Sequence, residues 1–96
     1  MKNKTWVKTV KLNNRTFELV FYRDEMKFLW CQAYEIYRPK KNFFDIFYKG
    51  EIFKFWTEDE DAIVKMALKE IDKIFEQEEK MKNAEKALDK FADYIV

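Results

Sequence analysis

β-Branched and aromatic residues dominate Thr5–Leu12 and Arg15–Tyr22, the composition of half-buried strands. The two runs flank Asn13-Asn14, and asparagine tolerates the positive φ that a two-residue hairpin turn demands. Arg23-Asp24-Glu25 makes a polar break. Lys27–Tyr37 then reads as the longest strand, carrying Phe28, Leu29, Trp30, Cys31, Ala33, Tyr34 and Ile36, and belongs in the centre of the sheet. Arg38-Pro39-Lys40-Lys41-Asn42 ends it as a basic loop, because Pro39 has no amide hydrogen for a ladder. Phe43–Tyr48 and Glu51–Trp56 supply one or two further strands, hinged at Lys49-Gly50. Residues 5–56 thus predict an antiparallel β-meander of four or five strands.

The period changes at Thr57. Thr57-Glu58-Asp59-Glu60 has the form of a capping box, with Thr57 as N-cap and Glu60 at N3. Beyond it Ile63, Val64, Ala67, Leu68, Ile71, Ile74 and Phe75 recur at three- and four-residue spacing, a stripe suited to lying on a sheet. Gln77-Glu78-Glu79-Lys80 interrupts the stripe; Met81, Ala84, Leu88, Phe91 and Ile95 resume it, with Asn83 as a second N-cap. An unbroken helix over the last 39 residues would extend roughly 60 Å. A single domain of this size has a radius of gyration near 13 Å, so such a rod would leave Leu88, Phe91 and Ile95 exposed unless another chain covered them. The expectation is therefore an α+β fold in one domain over residues 1–96. The sheet is followed by helical residues 58–95, either as two helices broken near 77–83 or as one long bent helix, packing on one sheet face.

Charge and composition narrow the chemistry. The net charge of +1 conceals two halves: residues 1–56 hold 12 basic and 6 acidic groups, and residues 57–96 hold 7 and 12. Of the 18 aromatics, 15 lie at or before Trp56. The chain contains neither histidine nor serine, and Cys31 is its one cysteine. That removes the Ser-His-Asp and Cys-His pairs and the usual Cys/His zinc sites, and forbids an internal disulfide. The sequence predicts no enzyme, no cofactor and no metal. No apolar run approaches a membrane span, and no signal-type segment follows Met1. The expected location is the cytoplasm.

The sheet offers the main candidate surface. If Phe17, Leu19, Phe21, Leu29, Cys31 and Ala33 face the helices, then Val20, Tyr22, Phe28, Trp30, Tyr34 and Ile36 point the other way, and a large exposed apolar patch marks an interaction surface. The plainer alternative is a curled sheet, or a second helix wrapped round it, with both faces internal. Tyr22, Trp30 and Tyr34 are the candidate anchors, and Arg38, Lys40 and Lys41 the charged orienters. Those three cations, with Lys2, Lys4, Lys8, Lys11 and Arg15, could instead line a track for single-stranded nucleic acid, although edge charges also serve solubility. Glu58, Asp59, Glu60 and Asp61 suit the positive end of a helix dipole better than a metal. Cys31 reads as a small packed residue.

The stretch Trp30-Cys31-Gln32-Ala33-Tyr34-Glu35, continued by Arg38-Pro39-Lys40-Lys41-Asn42-Phe43-Phe44, within a nearly glycine-free aromatic meander joined to a charged helical tail, resembles small accessory proteins of bacteriophages and mobile elements. The resemblance covers residues 1–56 in general character and transfers no functional residue. It implies a non-catalytic inhibitor of a bacterial defence nuclease, of the anti-CRISPR kind, inside a bacterial host cell. The implied partner is a protein or ribonucleoprotein, such as a CRISPR effector. A single-stranded nucleic-acid-binding module is the first alternative, and a homodimer joined through the C-terminal helix the second.

Overall fold

The structure, a computed structural model, describes residues 4–38 and 47–91. Among the described residues four strands form one sheet: β1 (Thr5–Leu12), β2 (Arg15–Arg23), β3 (Leu29–Tyr37) and β4 (Tyr48–Thr57). They lie in the order β1-β2-β3-β4, each antiparallel to its neighbour in sequence. A single 3-10 turn (Glu60–Ala62) leads into one α-helix, α1 (Ile63–Lys90), which packs on one sheet face. The chain is an α+β domain.

Local chemistry explains each connection. Asn13 and Asn14 adopt φ of 51° and 63°, the left-handed pair that a two-residue hairpin turn needs, and Leu12 faces Arg15 across it. The β2–β3 loop is organised by Asp24. Its amide donates to the Phe28 carbonyl (3.0 Å), its carbonyl accepts the Lys27 amide (2.9 Å), and its Oδ1 accepts the Phe28 amide (3.0 Å). Lys49-Gly50 is no hinge, since β4 runs straight through it. The irregularity lies further on: Ala33 faces Phe53 while Tyr34 faces Glu51, so Ile52 is the extra residue of a bulge. Residues 43–46, expected in a strand, lie outside the described residues.

The core consists of Phe17, Leu19, Phe21, Leu29, Cys31 and Ala33 from the sheet and Ile63, Ala67 and Ile71 from α1. This is the inward set anticipated from the sequence. Phe75 meets Phe17 edge-on, with centroids 6.0 Å apart and planes at 86°. Ala33 and Ala67 have no exposed surface, and lacking bulk they permit a close approach where α1 crosses β3.

The expected start of the helix is overturned. Thr57 does not cap it: Thr57 is the last residue of β4, and its Oγ1 accepts the Asp59 amide at 3.0 Å, a local turn at the strand end. Glu60 does not reach back to close a capping box; it pairs with Arg23. Of the two forms expected for the helical residues, the single long helix is the one found: α1 continues from Ile63 to Lys90 with no break between 77 and 83. Gln77-Glu78-Glu79-Lys80 interrupts the apolar stripe, but all four residues suit a helix interior and none carries a cap that would stop one. The molecule is accordingly elongated, 70 × 39 × 21 Å with a radius of gyration of 18.5 Å, well beyond the value expected for a compact domain of this length.

Candidate docking face on the open side of the sheet

Because strand side chains alternate, the register that buries one row displays the other. Across the sheet, Tyr22 stands opposite Trp30, and Trp30 opposite Trp56; Val20, Gln32 and Lys54 form the next row, and Glu18, Tyr34 and Glu51 the one after. Phe28 joins the first row by packing on Trp56, with centroids 4.8 Å apart. Tyr22, Trp30, Tyr34, Val20 and Ile36 are all half-buried, and α1 lies on the opposite side. Among the described residues no element covers this face, so the alternative of a second helix wrapped round it is not found there.

The face is ordered by specific contacts. The Trp30 indole Nε1 donates to Asp24 Oδ2 at 2.7 Å, and this bond, with lesser help from loop amides, holds the Asp24 carboxyl below its usual pKa. The Lys54 ammonium sits 5.2 Å from the Trp30 ring centroid, and that of Lys49 4.3 Å from the Tyr34 ring. Lys49 also pairs with Glu18, and Gln32 Nε2 donates to Glu51 Oε1 at 3.3 Å. The result is an aromatic centre in which Trp30 and Tyr34 are each overlaid by one ammonium group, with the carboxylates of Glu18 and Glu51 between.

The other candidates are dispersed. Arg38 is exposed at the end of β3, whereas Lys40 and Lys41 lie outside the described residues. The proposed basic track is not one surface, because alternation sends its members to opposite sides. Lys8 stands opposite Leu19 on the helix-bearing face, and Lys11 opposite Thr16 on the open face. Arg15 turns inward altogether. Its guanidinium donates twice to Glu35 (2.7 Å each) and once to Glu78, and lies over the rings of Phe17 and Phe75. These bonds, that to Glu35 foremost, raise the Arg15 pKa further above its ordinary value.

Comparison with protein-family models, curated proteins and solved structures gives no match. No group of three His, Cys, Asp or Glu side chains among the described residues is placed to hold a metal ion. Cys31 is fully buried, and burial pushes its thiol up to about 12, against thiolate formation. No helix among the described residues is long and apolar enough to cross a membrane. Asp24 was legible in the sequence only as part of a polar break; its role in fixing Trp30 depends on a loop that brings positions 24 and 30 together.

Proposed function

We propose that this chain is a non-catalytic protein-binding module that docks a partner on the open sheet face, with Tyr22, Trp30 and Tyr34 as anchors. The observation that carries the reading is the aromatic row of half-buried Tyr22 and Trp30 and exposed Trp56, with Trp30 held in place by Asp24 and the row uncovered by any element described. Rigid rings lose little conformational entropy on binding, which is why aromatic anchors dominate interfaces. The partner surface that fits is apolar at its centre with carboxylates around it, which would draw Lys54 and Lys49 off the rings they cover.

The same arrangement disfavours the single-stranded nucleic-acid alternative. Glu18 and Glu51 stand beside Tyr34 on this face and would lie among the phosphates. The resemblance to phage and mobile-element accessory proteins gives the reading its biological form: an inhibitor that covers a working surface of a bacterial defence nuclease or ribonucleoprotein. Support for that form comes from the character of residues 1–56, and support for docking from the geometry.

The test compares tagged wild type with Trp30→Ala/Tyr34→Ala and with Lys86→Ala, a control on the helix, in affinity purification from bacterial lysate. A protein retained by wild type and control and lost by the double variant, and then bound again as a purified component, supports the proposal. Equal retention by all three chains refutes it. So does binding that requires nucleic acid and disappears with moderate salt, which is the signature of phosphate contacts. Circular dichroism of the double variant establishes that its sheet is intact.

A further inference from the structure

Among the described residues, no element packs on α1 beyond Glu78. Every residue from Glu79 to Phe91 is exposed, including Met81 at 62%, Leu88 at 72% and Phe91 at 72%. Their spacing is regular. Ile74, Met81 and Leu88 recur every seven residues, and Gln77, Ala84 and Phe91 recur every seven between them, which are the a and d positions of a heptad. The next a position, Ile95, lies outside the described residues. On either side of this seam stand Lys73 and Lys80 at g, and Glu78 and Glu85 at e.

We infer that α1 pairs through this seam with α1 of a second copy of the chain, in parallel and in register. Charge selects both the occupant and the direction. When two such helices run parallel, each g residue meets the e residue of the following heptad on its partner, so Lys80 lies by Glu85, twice over by symmetry, while Glu78 stays with Arg15 and Lys73 with Glu70. When they run antiparallel, e meets e and g meets g, which sets glutamate against glutamate and lysine against lysine. The flanks are complementary to themselves in one orientation only.

The seam from Ile74 to Phe91 is about 26 Å long, shorter than a free-standing coiled coil. A short seam suffices here because the first turns of α1 are already formed on the sheet, so pairing extends a nucleated helix. The modest length makes the dimer weak and concentration-dependent. It uses a surface separate from the open sheet face, so the two proposals stand or fall independently.

Sedimentation equilibrium of the full chain, from about 10 μM to about 1 mM, spans the weak-affinity range in which so short a seam should associate. The mass is expected to rise from 11.9 kDa toward twice that value. Met81→Asp/Leu88→Asp should remain monomeric with unchanged sheet signal. Lys80→Glu should weaken association roughly 3- to 30-fold, and Lys80→Glu/Glu85→Lys should restore it. Leu88→Cys should form an interchain disulfide under mild oxidation, because equivalent a positions face each other only in a parallel, in-register pair; buried Cys31 gives wild type no such product. A monomer at all concentrations overturns the inference, as does a dimer insensitive to Met81→Asp/Leu88→Asp. A dimer whose Leu88→Cys variant fails to cross-link overturns the parallel register.

Discussion

Arg15 and Glu78 stand 63 positions apart in the sequence, and their ion pair marks the point where α1 leaves the sheet. A second pair, Arg23 with Glu60, marks where the helical segment arrives. Both arginines are end residues of β2. Along the strand they are about 27 Å apart at ~3.4 Å per residue. From Glu60 to Glu78 the helical segment also advances about 27 Å, at ~1.5 Å per residue. The length of β2 thus sets how much helix the sheet can hold, and the turns beyond Glu78 overhang.

Removing Arg15 should loosen this exit clamp. Arg15→Met leaves Glu35 without its two donors and uncovers the Phe17–Phe75 edge, and is expected to cost about 1–3 kcal/mol. Glu78→Gln, at a more exposed partner, should cost less. Urea unfolding of both variants checks the order, and equal costs would contradict it.

Stability should fall in acid. Asp24 and Glu60 both have folded-state pKa values below their ordinary 3.8 and 4.5, Asp24 chiefly through the Trp30 indole and Glu60 through Arg23. A depressed carboxyl contributes stability that is complete above its unfolded pKa and is lost as pH drops through the folded value. Urea midpoints should therefore be level near neutrality and decline below about pH 4.5. Asp24→Asn should remove part of that decline and leave the rest.

Ile71, on α1, is fully buried in the core formed with the sheet. Ile71→Ala is expected to destabilise by about 2–5 kcal/mol through lost burial and the cavity left behind. Lys86→Ala, on the exposed overhang, should stay within about 0.5 kcal/mol. Thermal melts at low protein concentration distinguish the two.

Cys31 should be silent toward thiol reagents in the folded protein. Its thiol, fully buried and pushed up to about 12, has neither access nor thiolate character at pH 8. Labelling should begin with urea unfolding; rapid labelling of native protein would contradict the packing of β3 against α1.

The Asn13-Asn14 turn can be tested at one position. Asn14 has φ of 63°, which a β-branched residue adopts only with strain. Asn14→Val should cost about 1–2 kcal/mol, read from the shift in the urea midpoint.

The hairpin at Asn13-Asn14, the inward row Phe17, Leu19, Phe21, Leu29, Cys31 and Ala33, and the change from strand to helix near residue 57 were all legible in the amino-acid order. Each depends on interactions within a few residues or on a simple alternation, and such short-range physics survives in one dimension. Only the folded chain decided the rest. Thr57 ended a strand because β4 stayed paired with Leu29, and Glu60 and Glu78 became clamps because β2 places an arginine at each end. Arg15 left the supposed basic surface for the same reason. The helix ran on past 83 because local propensity offered no stop, and it overhangs because a nine-residue strand is shorter than the helix laid along it. Lengths and pairings between distant elements are properties of the packed chain, and no local pattern encodes them.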